Sequence, residues 1–408
     1  MTILQRKSRK RARHAKADEP VTETSVLSTE DTESRESGTA PDATKELPRV
    51  TESNGEFRPS AGGWIARLLT WAVLLWLLLA VPGNVLSPFD FGVSDINLAI
   101  AATIFAIIGL SLNVLIGYTG QLSLGHQAFV GIGAFASAYV VTDLGLSFWI
   151  AVPVAAGIGA LQAALLGAVS LRVTGLYFAL VTLAYGLFAE QSLFSFAEIT
   201  GGDGGKPAER PAGFADDHLF YYLCFGFLVL VLWLDWRLTR SKAGRALQAL
   251  RENPKVAASY GVDVKRYTLL AFVVSGTFAG IAGSLMAHHQ QIIVPGIFSF
   301  QLALVFVVMT VVGGLRNRIG VVIGSAFFAS LGEGGGAGDG GGFLERTIGL
   351  PAEFTGIVIG PILLLVVITL LPGGIGQLIA PVKNWMLGKR FDRHAGKLKE
   401  VEVSDVRA

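Results

Sequence analysis

Apolar residues along this chain come in long blocks, not in alternation. Ten runs stand out, at 64–86, 96–116, 124–141, 148–171, 177–196, 219–234, 268–287, 300–312, 319–331 and 354–371. Most approach the roughly 20 residues that a helix needs to cross a bilayer. The runs at 300–312 and 319–331 are too short for a full span, which predicts half-helices or tilts. The two-residue alternation of a membrane barrel strand is absent. The pattern therefore predicts an all-α, polytopic helical membrane protein with about ten transmembrane segments, some of them interrupted.

Composition agrees. Of 408 residues 51% are hydrophobic and only 16% charged, against roughly 25% charged in soluble domains. The net charge of +2 hides a strong segregation. Residues 1–60 open with Arg6, Lys7, Arg9, Lys10, Arg11, Arg13 and Lys16, then turn Thr-, Ser- and Glu-rich. Such a stretch lacks the apolar surface to fold and reads as a disordered cytoplasmic tail. Its basic block suits anionic lipid; a nucleic-acid arm is the weaker alternative beside a membrane domain. The membrane body occupies 61–380, and 381–408 forms a second basic tail with Lys383, Lys389, Arg390, Arg393, Lys397 and Lys399. Short basic loops stay inside. Ten spans with both termini cytoplasmic place Arg172, the 239–267 loop, Arg316 and Arg318 inside. The same count places Asp90, Asp95, Asp143 and the 198–217 loop outside. Cys224 is the only cysteine, so no intrachain disulfide forms.

Two stretches carry candidate chemistry. In 112–133, LNVLIGYTGQLSLGHQAFVGIG, the polar residues Asn113, Gln121, Ser123, His126 and Gln127 lie among glycines. Polar groups at bilayer depth need partners and often line pathways, and glycines allow a helix to break there. The alternative is helix glue, with small residues for close packing and amides bonding across helices. The 239–267 loop holds seven basic residues against Glu252 and Asp263. Its residues 243–251 predict a short helix with Ala246, Leu247 and Leu250 on one apolar face. Pro254 breaks the run, a second short helix follows, and Gly261 suits a left-handed cap. The loop is a docking element for a partner or a basic cover on the membrane surface.

Smaller features count for less. GGDGGK at 201–206 lacks the Ser or Thr and the first glycine of a phosphate loop, so this chain binds no nucleotide by that motif. Glu190 is a gate residue or an interfacial carboxylate. His288 and His289 read as interface residues, since a metal site needs more ligands. Asp235 and Arg237, beside Trp233 and Trp236, read as a membrane-boundary anchor. The glycine-rich 332–342 reads as an external linker.

GRALQALRENPKVAASYGVDVKRY, GYTGQLSLGH, GLYFALVTLA and the Thr-Gly-Gly at 200–202 occur in order. Together they resemble the branched-chain amino acid permease family of ABC importers over roughly 97–375. The resemblance implies that Gly244, Arg245, Ala246, Leu247, Leu250, Arg251, Glu252, Ala257, Ala258 and Gly261 belong to a loop that docks on an ATPase. Val256 replaces that motif's acidic residue, and the family's Gly-Gly-Leu-Gly-Ser turn reads Gly313-Gly314-Leu315-Arg316-Asn317-Arg318 here. It further implies a non-enzymatic permease in the inner membrane, without a cofactor. Its partners would be a homologous second permease, two ATP-binding subunits and an external solute-binding protein. Asn113, Gln121, Ser123, His126, Gln127 and Glu190 are the candidate pathway residues. The same machinery carrying urea or short amides is the alternative. An ion-coupled secondary transporter would need buried acids at mid-membrane, and an intramembrane enzyme a clustered nucleophile or metal set.

The charge asymmetry yields a direct test of orientation. In a Cys224→Ser background, Asp217→Cys is labelled from outside by an impermeant thiol reagent and Lys242→Cys is not; the reverse pattern inverts the topology.

Overall fold

The structure is a computed structural model that describes residues 93–170, 175–329 and 374–377. The expected segments 64–86 and 354–371, Arg172, the glycine-rich 332–342 and both tails lie outside the described residues.

The long helices are α1 (Val93–Leu112), α2 (His126–Thr142), α3 (Phe148–Ser170), α4 (Leu176–Gln191), α6 (Asp217–Arg240) and α9 (Val264–Gln290). Shorter ones are α5 (Ala197–Thr200), α7 (Lys242–Glu252), α8 (Pro254–Ser259), α10 (Phe300–Gly313) and α11 (Arg318–Phe328). Strands occur, among the described residues, as one antiparallel pair of β1 (Lys206–Pro207) with β2 (Ile292–Ile293). Five stretches are long and apolar enough to cross a membrane: Ile96–Thr119, Phe148–Val169, Leu176–Ser195, Asp217–Arg240 and Val264–Gln290. The helices at α6 and α9 run past their apolar runs on the charged side. Long basic side chains at a helix end can lay their stems on apolar surface and keep the charge in the headgroup layer.

α9 is the axis of the bundle and packs against α1, α2 and α3. Lipid offers helices no hydrophobic reward for touching, so the contact must come from close packing. Gly159 of α3 and Gly276 of α9 face each other so closely that a Cβ on either would overlap the other's carbonyl oxygen. A Cβ on Gly133 of α2 would sit 2.8 Å from Gly280 Cα. Aromatic rings interlock edge-on between other helices, Phe178 of α4 with Phe272 of α9 at 5.3 Å and Phe105 of α1 with Phe306 of α10 at 5.6 Å.

Each end of the bundle has its own fastening. At one end Lys206 pairs with Asp143 at 2.5 Å, and the β1–β2 pair ties the 201–216 loop to the end of α9. Lys206 is buried and also lies over Tyr139, so the lysine of GGDGGK holds the loop down. His288, expected at the water interface, is instead fully buried. Its Nδ1 lies 2.6 Å from the Glu209 carbonyl and its Nε2 3.0 Å from Ser137 Oγ. A ring with both nitrogens bonded inside the protein has no need of water. The other end carries α7 and α8.

Filling the glycine seam should unseat α9. Gly276→Leu is expected to cost at least about 1–3 kcal/mol, read as a lower melting temperature of the purified chain in detergent. Gly226→Leu, where nothing lies within 4 Å of the added Cβ, is the control and should melt as the parent does.

Candidate functional site

The site begins where α1 stops being an α-helix. Residues Asn113–Thr119 continue it as a wider π-helix, all seven buried, and Gly120 ends it in the left-handed region at φ 73°. The chain then runs without regular structure to Gly125 before α2 starts at His126. The break is held from the side by α4. Thr182 Oγ accepts the Leu124 N–H at 2.9 Å, and a Cβ on Gly125 would overlap the Thr182 carbonyl. This is an interrupted helix of the kind that membrane proteins tolerate only inside protein or along a polar cavity.

The polar side chains of the break face inward. Ser123, His126 and Gln127 are fully buried. His126 Nε2 lies 2.9 Å from Ser111 Oγ, whose own proton goes to the Ser275 carbonyl at 2.6 Å. With that hydroxyl proton committed, Nε2 must be the protonated ring nitrogen, and Nδ1 keeps a free lone pair. His126 Nδ1 has no partner among the described residues. The same is true of Gln121 Oε1, Ser123 Oγ and both amide atoms of Gln127. Each such group costs about 1–3 kcal/mol if left dry. A cluster of five in a few residues is therefore a place for water or a polar solute. What it offers is uncharged: lone pairs from His126 and Gln121, and both donor and acceptor from Gln127 and Ser123. It sits at the N-terminus of α2, where backbone N–H groups and the helix dipole favour negative charge.

The remaining two candidates fall elsewhere. Asn113 lies toward the α7 end, its Oδ1 accepting the Arg316 N–H at 2.9 Å and its Nδ2 donating to Tyr118 Oη at 3.3 Å. Glu190 is half-buried and accepts the Phe300 N–H at 2.9 Å, so it caps the start of α10 from the end of α4.

Sequence reasoning missed the polar cluster at the α7 end. Asp235 is fully buried in α6 and pairs with Arg318 at the start of α11. Arg318 also donates to Thr239 Oγ, and Tyr118 Oη donates to Asp235 Oδ2 at 3.0 Å. This replaces the expected boundary anchor: Arg237 and the tryptophans are exposed, but Asp235 turns into the bundle. A lone acid after a long apolar run, with an arginine opening a later helix, was the available signal.

The 239–267 loop also differs from expectation. Ser241 caps α7 by accepting the Gly244 N–H at 3.2 Å, and Asn253 caps α8 by accepting from Lys255 and Val256 at 3.0 and 3.2 Å. Gly261, at φ +80°, closes the second helix. Ala246, Leu247 and Leu250, expected to face a partner, are buried within this chain, Leu247 completely. The face is apolar because α7 lies back on α6, α9 and the π-helix. Arg251 donates to the Gly117 carbonyl in that π-helix. Partial burial and the nearby Arg316 push its pKa down, with Glu252 opposing them. Residues the loop turns outward include Lys242, Arg245, Glu252, Lys255, Ala258, Gly261, Lys265 and Arg266, and its exposed apolar side chains are Val256 and Tyr260, the last 84% exposed.

Comparison with known proteins gives this geometry a context. The high-affinity branched-chain amino acid transport system permease protein LivM of Escherichia coli is 34% identical over 264 residues, 58% of this chain and 62% of that protein. Its counterpart in Salmonella typhimurium is 33% identical over 277 residues, 61% of this chain and 65% of that protein. The probable branched-chain amino acid transport permease protein LivH of Methanocaldococcus jannaschii is 35% identical over 106 residues, 26% of this chain and 33% of that protein. The chain thus spans a little under two thirds of the first two relatives. No solved structure matches. Residues 95–367, which include the broken helix, the Asp235–Arg318 pair and the α7–α8 loop, match the family described as branched-chain amino acid transport system, permease component, and the chain is a multi-pass membrane protein that belongs to that family.

Proposed function

We propose that this chain is the inner-membrane permease subunit of an ATP-driven importer for branched-chain or related small amino acids. It would work with a second homologous permease, two ATP-binding subunits and an external solute-binding protein. The observation that supports this most is the cluster of unpartnered polar atoms at 121–127, at a helix break inside the region of the family match. A zwitterion needs its carboxylate held without a fixed counter-charge that would trap it. The α2 N-terminus with Gln127 and Ser123 supplies that. The cluster is uncharged, so a urea or short-amide substrate satisfies the same donors and acceptors; the external binding protein then decides. An ion-coupled mechanism finds less support, because Asp235, the buried carboxylate among the described residues, is already paired with Arg318.

Access to the cluster would come from α4. That helix is largely exposed, while α2, α3 and α9 are locked by their glycine seam. Force would enter through α7 and α8. α8 offers Val256 and Tyr260 as apolar anchors, rimmed by Lys255, Lys265 and Arg266, the arrangement of a small docking surface. Inward from it, Arg251 grips the π-helix at Gly117, and Asn113, Tyr118, Asp235 and Arg318 continue the chain of polar contacts to α6 and α11.

Four measurements test the proposal. Uptake of labelled leucine into vesicles should require ATP inside and all partner subunits; uptake driven by an ion gradient alone would overturn it. Gln127→Leu and Ser123→Ala should cut uptake at least tenfold with normal amounts of assembled complex. A proportional loss of complex would instead make these residues helix glue. Tyr260→Asp should release the ATP-binding subunits on purification while the permease stays folded. Leu247→Asp should destabilise the permease itself by several kcal/mol, because it places an unpaired charge in a closed interior.

A further inference from the structure

A groove of about 820 Å³ opens between the last turns of α6 and the middle of α9. That volume lies in the roughly 300–1,000 Å³ range of small-molecule sites. Its walls are apolar, with Leu234, Leu238, Val274 and Phe278, and its rim at the α7 end carries Arg237, Arg240 and Ser241. Both arginines are exposed, and neither has a carboxylate partner among the described residues. The acid that could have neutralised them, Asp235, is turned to the far side of α6 and consumed by Arg318. Each guanidinium instead lies over an indole, Arg240 above Trp236 at 4.5 Å and Arg237 above Trp233 at 5.9 Å. Tryptophan and arginine together mark the depth of the lipid headgroups, with the groove running from there into the hydrocarbon layer.

We infer that this groove holds one lipid with an anionic headgroup, its acyl chain against Leu234, Leu238, Val274 and Phe278 and its phosphate on Arg237 and Arg240. A soluble anion would gain nothing from the apolar wall, and a zwitterionic lipid would bring its own cation to the two unpaired guanidiniums. The anionic lipid matches both halves of the site. The location gives the lipid a second effect. Arg240 offers its carbonyl to Arg245 of α7 at 3.5 Å, and Ser241, on the same rim, caps α7. Headgroup binding at this rim therefore stiffens the joint from which the α7–α8 loop hangs.

The test uses the full chain in phosphatidylcholine vesicles doped with lipid brominated at mid-chain, which quenches nearby tryptophan. Dibrominated phosphatidylglycerol should quench at a mole fraction about ten- to thirtyfold lower than dibrominated phosphatidylcholine, as two headgroup-level cations predict. Arg237→Gln with Arg240→Gln should bring the two curves together, and Arg240→Gln alone should close part of the gap should the double variant insert poorly. Thr277→Phe, which fills the groove and leaves both arginines, should weaken quenching by the anionic lipid too. Equal quenching by both headgroups in the parent chain, or an anionic preference untouched in the arginine variants, overturns the inference. So does relief of quenching by millimolar inorganic phosphate, which would make the rim a simple anion site.

Discussion

The rest of the molecule hangs on the backbone contact of α9 with α2 and α3. At Gly159 and Gly276 there is no room for a single methyl group between two helices. In lipid this closeness replaces the hydrophobic effect as the source of cohesion, since dispersion falls off steeply with each added fraction of an ångström. It also makes those three helices one body. α4, by contrast, meets that body along one face, through Phe178, Thr182, Tyr185 and Gly186, and most of its surface points outward. A rigid body and a loosely held neighbour are what a hinged or sliding transition requires. The polar break of α1–α2 lies where the two meet.

The two ends of the bundle solve the same problem with different chemistry. At the β1–β2 end a lysine from a glycine-rich loop closes on Asp143, and His288 is bonded at both nitrogens. At the α7 end a buried aspartate gathers Arg318 and Tyr118, and Arg318 in turn reaches Thr239. Removing one member of such a buried pair strands the other, which typically costs about 3–5 kcal/mol. The Asp235 cluster joins α1, α6 and α11, three elements far apart in sequence. Its hydrogen bonds and ion pair thus bind those three elements to one another directly.

Much of this was legible in the sequence. Among the described residues, helix positions followed from the apolar blocks, because in a membrane the hydrocarbon thickness sets their lengths. Span number and the sidedness of the termini rest on residues outside those described. The broken helix was legible from the glycines flanking Gln121–Gln127. The direction of α7's apolar face was not. Period alone marks Ala246, Leu247 and Leu250 as one side of a helix, but says nothing about whether the covering surface belongs to this chain or another. His288 and Asp235 were misplaced for a related reason. A polar residue near the end of an apolar run looks interfacial until the partner, 79 residues away for His288 and 83 for Asp235, is seen beside it.

That separation also has a consequence in time. Ser111 exchanges hydrogen bonds with Ser275, 164 residues later in the chain. A ribosome adding about 5–20 residues per second needs roughly 8–33 s to cover that distance. Throughout that interval the serine of α1 waits in the growing nascent protein without its Ser275 partner. The hydrogen bonds that join α1 to α9 therefore close only after everything between the two helices has been made.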